Sequence, residues 1–295
     1  MLERNQTMHE YIIFTDSCCD IPPKMLKEWG VSYANMTFSF AGEEKEYIGT
    51  DISNHDFYER MRQGAHATTA AINADTFTGA FSSVLEEGKD ILYVAFSSGL
   101  STTVNSAHMA AEELKEKYPD RKIIIVDTLA ASAGGGLMVY MAVAKKNEGA
   151  TIEENAAYIE SLIPHHCIWF TVDDLEYLKR GGRVSPLVAF AGGILGIKPI
   201  LQMDEEGHLI KVSTARGRKK AIEALANKYA ELSYVEKNTP IFVSHGDCEE
   251  DARQLVALLK ERHGAEVTLL TEIGPVIGSH SGPGTIALFF LGKER

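Results

Sequence analysis

Residues 74–126 read ADTFTGAFSSVLEEGKDILYVAFSSGLSTTVNSAHMAAEELKEKYPDRKIIIV. The apolar spacing over 74–87 and 102–117 predicts two helices, whereas the β-rich runs 91–96 and 122–126 predict buried strands. Helices and strands that alternate at this spacing are typical of βαβ units, whose strands form a mostly parallel sheet. We therefore predict an α/β fold.

The alternation continues on both sides of this stretch. Upstream, residues 11–15 form a short apolar run that predicts a buried strand. Downstream, Pro164 interrupts the pattern, and a new strand predicted over 167–172 begins a second series of strands and helices. The sequence thus predicts two α/β domains, residues 1–163 and residues 164–295.

Composition and charge narrow the class of protein. The chain has 295 residues, and 29 Lys and Arg against 41 Asp and Glu give a net charge of −12. Because so acidic a chain is a poor match for nucleic acid, we predict no nucleic-acid partner. The four cysteines match no zinc or CxxC pattern, and the first residues lack the apolar run of a signal peptide. We expect a reduced, cytoplasmic protein.

Several predicted loops after strands are rich in hydroxyl groups. In α/β proteins such loops are candidate sites, because ligands bind at the carboxyl ends of strands. The loop 97–102, SSGLST, begins with Ser97 and Ser98 and leads into a predicted helix. Free N–H groups at a helix start attract a carboxylate or a phosphate. Capping by Ser101 or Thr102 is the alternative, but it explains only one of the four hydroxyls.

A second candidate is the predicted loop 274–284, which contains GSHSG at 278–282. A nucleophile elbow has serine at the centre of G-x-S-x-G, whereas His280 stands there in this chain. His280 is then either an ordinary hydrogen-bonding residue of a loop or a partner of a bound anion. A lipid or ester hydrolase that uses a serine with His280 is the alternative function, although no complete acid, histidine and serine set is evident.

Two basic clusters contrast with the acidic composition: KRGGR at 179–183 and RGRKK at 216–220. Cations at the start of a helix oppose its dipole, so the second cluster indicates a role beyond helix stability. Each cluster is either a solvated basic face or part of a docking surface for an acidic partner or a phosphate-bearing ligand.

Signatures of metal and nucleotide cofactors are missing from the sequence. It contains no P-loop, no G-x-G-x-x-G and no H-E-x-x-H. The neighbours His165, His166 and Cys167 would point to different sides of a strand, so we predict no metal site and no cofactor. Apolar segments such as 187–197 are abundant, and next to a polar loop they suit an amphipathic anion with a long tail.

The motifs together resemble the DegV family. The TDS-x-x-D-[IL] start, the S-S-G-[LI]-S-G-T loop and the L-x-x-L-x-[KR]-G-G-R stretch of that family all have counterparts here. The matching segments follow the family's order and cover nearly the whole chain: residues 15–22, 68–69, 97–107, 173–185, 216–221 and 274–286. Three places depart from the pattern. Residues 69–73 read TAAIN where the family has T-S-x-P-S, residues 101–103 read STT where the family has S-G-T, and Ser281 stands where the family varies.

The resemblance implies two α/β domains with a lipid-binding cleft between them, in which the acyl chain of a long-chain fatty acid is buried. It also implies that hydroxyl groups and a histidine hold the carboxylate. The residues that correspond are Thr68 or Thr69, Ser97 or Ser98, and His280. Arg183 and Arg216 would lie near the head group or on the face that docks a kinase.

Members of the family act as the fatty-acid-binding subunit of bacterial fatty acid kinase and so contribute to phospholipid metabolism. They present the carboxylate to a separate ATP-binding subunit, which makes acyl phosphate. The resemblance therefore implies a lipid-binding protein without catalytic residues of its own. Its partners would be a long-chain fatty acid and the kinase catalytic subunit, and transient contact with a membrane is compatible with this role.

Overall fold

The computed structural model describes residues 10–184, 196–234 and 239–295. Residues 187–195 of the apolar segment noted above lie outside this part of the chain. The first half contains strands β1 Tyr11–Asp16, β2 Val31–Ala34, β3 Thr37–Phe40, β4 Ala67–Ala70, β5 Asp90–Ala95 and β6 Ile123–Asp127. Its helices are α1 Pro23–Glu28, α2 Asn54–Arg62, α3 Ala74–Glu86, α4 Thr103–Lys117, α5 Ala133–Asn147 and α6 Ile152–Leu162.

The second half follows a short 3-10 helix, Ile163–His165, in which the predicted domain boundary lies. Its strands are β7 His166–Thr171, β8 Ile197–Met203, β9 Leu209–Arg216, β10 Phe242–His245, β11 Leu269–Glu272 and β12 Ile286–Leu291. Its helices are α7 Glu176–Arg180, α8 Arg218–Leu232, α9 Glu249–His263 and α10 Pro275–Ser281.

The first sheet has the strand order β2-β1-β5-β6, and every pair in it is parallel. In the register, Ile13 lies opposite both Val31 and Leu92. Strand β5 is buried along its whole length, as expected for a parallel strand with helices on both faces. The predicted parallel α/β arrangement of this half is confirmed.

The second sheet has the strand order β11-β10-β12-β7-β8-β9, and only its β10–β11 pair is parallel. It therefore differs from the mostly parallel sheet that strand–helix alternation indicates. Strands β8 and β9 form a hairpin around a turn at Asp204–His208, whose ends share a backbone hydrogen bond of 2.9 Å. A strand that returns through such a short turn must run antiparallel to its neighbour.

The two sheets share one continuous apolar core. It contains Ile13 and Leu137 from the first half together with Ile168 and Phe289 from the second sheet. Helix α5 packs between the sheets, and its glycines permit a close approach. A Cβ atom on Gly134 would lie 2.8 Å from Cδ1 of Phe289. The glycine run of α5 thus lets the two halves pack against each other.

A third, smaller unit positions the site. Strands β3 and β4 pair antiparallel, and the aromatic side chains of β3 pack with those of α2. Helix α10 contacts α2, β3 and β4, although it lies more than 200 residues later in the chain. Sequence patterns predicted a loop at 274–284, so α10 corrects that expectation. Strand β4 reads ATTA, and this segment lacks the apolar alternation that would reveal a strand.

Within the described ranges, no helix is both long and apolar enough to cross a membrane.

Candidate functional site

A largely apolar cavity lies between the two sheets. The empty space within it, counted out to its open mouth, is about 710 Å³. Its apolar walls come from both halves and from α10 and include Phe96, Leu100, Phe170, Met203, Val276 and Phe289. Its polar lining residues are Thr69, Ser101, Ser132, Arg183, His280, Ser281 and Thr285. Such a lining suits a mostly apolar ligand with one polar end.

The polar end contains a contact between two predicted site residues. Thr69 Oγ1 lies 2.8 Å from Nε2 of His280. Successive side chains of a strand point to opposite faces, so Thr68 and Thr69 cannot both face this histidine. Thr69 lines the apolar cavity, whereas Thr68 is exposed. Strand β4 and helix α10 therefore place Thr69, and not Thr68, beside His280.

One side of the His280 ring is closely packed. Its Nδ1 atom is buried and has no hydrogen-bond partner among the described residues, and a Cβ atom on Gly181 would lie 2.2 Å from it. Because this side offers no acceptor, we assign the ring proton to Nε2, which then donates to Thr69. Burial lowers the pKa of His280 to about 4, and nearby Arg183 adds to the effect. The ring is therefore neutral at pH 7.

The side chain of Arg183 lies at the same end of the cavity. Its Nε donates to the carbonyl of Leu100 at 3.2 Å, and a terminal nitrogen donates to the carbonyl of Gly181. These bonds occupy two of the five N–H donors of a guanidinium. The other three N–H groups make no hydrogen bond within the described part of the chain and can donate to an anion, while the two carbonyls fix the plane of the guanidinium.

Ser101 and Ser281 are among the hydroxyl-bearing lining residues that sequence reasoning missed. Ser101 Oγ accepts the N–H of Thr103 at 3.2 Å and lies 2.9 Å from the hydroxyl of that residue. The helix-start position of Ser101 could have identified it, but capping was the simpler explanation. Ser281 Oγ is buried and has no hydrogen-bond partner among the described residues. Both groups can donate to an anion at this end of the cavity.

Three other predicted residues lie outside the cavity lining. Ser97 is fully buried, and its hydroxyl donates to the carbonyl of Gly207 at 3.0 Å, which ties the loop to the β8–β9 turn. Ser98 is exposed, and its backbone N–H donates to the Asp127 carboxylate. Arg216 is exposed at the end of β9. The structure therefore brings together Thr69, His280 and Arg183, but not these three.

An outer cavity adjoins the polar end. Counted out to its opening, it measures about 630 Å³, and it shares Thr69, Arg183 and His280 with the apolar cavity. Thr68 and Arg180 line it as well. The shared residues thus stand where an apolar chamber meets a polar one, so a bound head group there can be reached from outside.

Comparison with known proteins identifies the family. The family model described as "Uncharacterised protein, DegV family" matches residues 11–293. The chain belongs to the DegV family. The resemblance inferred from the motifs is therefore confirmed.

DegV relatives match the chain along nearly its whole length. The DegV domain-containing protein of Clostridium perfringens is 41% identical over 289 residues, which cover 98% of this chain and 99% of the relative. A fatty-acid-binding DegV protein from Thermus thermophilus is 32% identical with a TM-score of 0.86, covering 96% of this chain and 99% of its own. A stearic-acid-binding protein from Eubacterium ventriosum is 25% identical with a TM-score of 0.87, covering 96% and 98%.

The departure from the DegV pattern at residues 69–73 leaves the local structure intact. The family's final serine is replaced by Asn73, whose side chain accepts the N–H of Thr76 at 2.8 Å and caps α3. Asparagine and serine are comparable N-cap residues. The backbone N–H of Ile72 donates to Thr103 Oγ1 at 3.3 Å, which connects this segment to the Ser101 loop.

The geometry does not favour the hydrolase alternative for this DegV protein. Within the described part of the chain no carboxylate contacts Nδ1 of His280, and Nε2 contacts a threonine. The nearby Ser279 hydroxyl donates to the Pro275 carbonyl at 2.7 Å. A serine nucleophile needs an oriented histidine base, and this arrangement lacks one. The described residues also contain no group of three His, Cys, Asp or Glu side chains that could hold a metal ion.

Proposed function

We propose that this protein binds a long-chain fatty acid in the apolar cavity and presents its carboxylate to a separate, ATP-dependent fatty acid kinase subunit in the cytoplasm. The kinase subunit would then convert the bound acid to acyl phosphate. The observation that carries the proposal is an apolar chamber between the sheets that ends at the Thr69–His280 pair. The fatty acids bound by DegV neighbours of the same fold support it.

The apolar walls account for affinity toward an acyl chain. Each buried CH₂ group contributes about 0.8 kcal/mol, so a chain of many methylenes binds strongly to such walls. Phe170, Met203 and Phe289 of the second sheet line the chamber together with Phe96 and Leu100 of the first half. A ligand held there is enclosed by both halves of the molecule.

The polar end accounts for recognition of the carboxylate. A buried carboxylate without donors would cost several kcal/mol, so its site must supply hydrogen bonds. The Thr69 hydroxyl can donate because it accepts from His280, and Ser101 and the free part of the Arg183 fork add further donors. His280 is thus a positioning residue that acts through Thr69.

The outer cavity supports presentation to a second protein. A phosphoryl donor must reach the carboxylate from outside, and the shared residues lie at the boundary of the two cavities. The sequence contains neither a P-loop nor the dinucleotide-binding motif G-x-G-x-x-G. ATP would therefore come with the partner.

The first experiment is native mass spectrometry of the purified protein with organic extraction of bound material. We expect a mass increment that extracts as a long-chain fatty acid. A clean unliganded mass, with no shift after palmitate is added, would contradict the proposal.

Two neighbouring threonines offer a matched pair of variants. Thr69→Val removes a hydroxyl that faces the carboxylate, so we expect palmitate affinity to fall at least about tenfold, because hydrogen bonds to charged groups contribute about 1.5–3 kcal/mol. Thr68→Val removes the hydroxyl on the opposite face and should change affinity less than about twofold. Equal effects of the two substitutions would argue against this placement of the carboxylate.

The kinase step has its own test, in which hydroxylamine traps acyl phosphate as a hydroxamate. We expect product from palmitate and ATP only when the protein is combined with an ATP-dependent fatty acid kinase subunit. Hydroxamate formed by the chain and ATP alone would show that the chain is itself the kinase. Fatty acid release from esters by the chain alone, blocked by a serine-reactive phosphonate, would favour the hydrolase instead.

A further inference from the structure

The hydroxyl group of Ser281 is a buried donor without an acceptor. The residue lines the apolar cavity and is only 6% exposed, and its Oγ atom has no hydrogen-bond partner among the described residues. The other hydroxyl groups of the lining all contact a side chain or a carbonyl: those of Thr69, Ser101, Ser132 and Thr285. A buried hydroxyl without a partner is costly, so that of Ser281 points to a ligand atom that bonds to it.

Ser281 lies apart from the groups that hold the carboxylate. Consecutive side chains of a helix point about 100° apart, so His280 and Ser281 of α10 face different parts of the cavity. His280 contacts Thr69 on β4, whereas the backbone carbonyl of Ser281 accepts the hydroxyl of Thr285 at the start of β12. Ser281 is therefore close to the carboxylate end of the cavity but on the side of the second sheet.

Ser281 and Thr285 together offer one donor and one acceptor. The Thr285 hydroxyl donates to the Ser281 carbonyl at 3.0 Å and lies 2.9 Å from the carbonyl of Gly282. Its proton is thus in use, and its oxygen can only accept a further bond. The Ser281 hydroxyl still has its proton to donate. A ligand hydroxyl both accepts and donates, whereas a carboxylate only accepts and a methylene does neither.

From this pair we infer that the cavity selects a hydroxy fatty acid, whose chain hydroxyl accepts from Ser281 and donates to Thr285. The inference rests on the proposed function and names its substrate class more closely. The carboxylate of such an acid still lies at Thr69 and His280. Because Ser281 directly follows His280, the hydroxyl that reaches it is on a carbon near the carboxylate, the α or the β carbon.

The test compares four acids of equal chain length by displacement of a fluorescent fatty acid: palmitate and its α-, β- and ω-hydroxy derivatives, the first two as separate enantiomers. We expect Ser281→Ala to lower the affinity for at least one enantiomer of the α- or β-hydroxy acid about fivefold or more. Palmitate should stay within about twofold, because it has no hydroxyl to lose a bond. The ω-hydroxy acid carries its hydroxyl at the far end of the tail and should behave like palmitate.

The control for removal of a hydroxyl is Ser83→Ala. Ser83 lies in α3, its hydroxyl donates to the Gly79 carbonyl at 3.1 Å, and it lines neither the apolar nor the outer cavity. This substitution should leave all affinities within about twofold. Unchanged palmitate binding by Ser281→Ala also shows that the variant is folded.

Each outcome decides the inference. It would be overturned if the affinity of every α- and β-hydroxy acid relative to palmitate changed less than about fivefold in Ser281→Ala. An equal loss for palmitate and the hydroxy acids would also overturn it, because Ser281 would then bind the carboxylate. Failure of the wild type to bind any of the four acids would instead overturn the proposed function.

Discussion

Gly181 determines where the ring of His280 lies. Its φ angle is not positive, so alanine suits the backbone there, but the added Cβ would lie 2.2 Å from Nδ1 of His280. The ring must then move away from Thr69 and lose its 2.8 Å contact. We expect Gly181→Ala to weaken palmitate binding about fivefold, the value of one neutral hydrogen bond near 1 kcal/mol, as measured by fluorescent displacement.

A matched glycine provides the control at this scale. Gly79 lies in α3, and a Cβ atom added there would meet nothing within 4 Å. Gly79→Ala should therefore leave palmitate affinity unchanged and raise stability by about 0.5–1 kcal/mol. Unaltered binding in Gly181→Ala would mean that the His280 contact does not orient Thr69.

At the scale of elements, helix α10 depends on a buried carboxylate at its start. Asp20 accepts the N–H of Gly274 at 2.9 Å and the hydroxyl of Ser132 at 2.5 Å, and Ser132 lines the apolar cavity. Burial raises the pKa of Asp20 from 3.8 to about 7. The folded state therefore favours the protonated acid, and the stability from this group is lost as pH rises through about 7.

Substitutions of Asp20 separate its hydrogen bonds from its charge. An amide can accept from Gly274 and donate to Ser132, so Asp20→Asn should keep α10 in place and remove this pH dependence. Asp20→Ala leaves a buried N–H without an acceptor and should cost about 1–3 kcal/mol. Unfolding midpoints at acidic and alkaline pH measure both effects. Equal destabilisation by the two variants in alkali would contradict this role.

For the molecule as a whole, a buried histidine changes stability with pH in the direction opposite to Asp20. His166 is fully buried on β7, and neither ring nitrogen has a hydrogen-bond partner within residues 10–184, 196–234 and 239–295. Burial lowers its pKa to about 3. The unfolded chain takes up this proton near pH 6.5 and the folded chain does not, so stability falls as pH drops from about 6.5 toward 3.

This dependence predicts a gain in acid stability. We expect the free energy of unfolding of the wild type to fall by about 2 kcal/mol between pH 7 and pH 5 because of His166, since one pKa unit corresponds to 1.36 kcal/mol. His166→Leu should not show this fall. Thermal unfolding at the two pH values measures the difference. His108→Gln, at an exposed position of α4, should leave the difference unchanged. A wild-type drop in midpoint that persists in His166→Leu would refute the assignment.

The sequence predicted most elements because their apolar spacing is a local property. Helices α3 and α4 span Ala74–Glu86 and Thr103–Lys117, within one residue of the predicted ranges 74–87 and 102–117. Strands β1, β5 and β6 of the first sheet occur where short apolar runs predicted them. The DegV motifs also predicted Thr69, His280 and Arg183, which the structure brings to one end of one cavity. These features depend on residue type and order along the chain.

Tertiary structure alone decided the rest. Strand β4 forms because β3 pairs with it, and α10 forms against α2, β3 and β4, so neither shows a periodic pattern of its own. Thr69 lies beside His280 and Thr68 does not, because successive side chains of a pleated strand point to opposite faces. Ser101 lines the cavity and Ser97 does not, because the Ser97 hydroxyl donates to the Gly207 carbonyl in the β8–β9 turn. Side-chain direction and pairing between distant segments are set by packing in three dimensions, and no local sequence pattern records them.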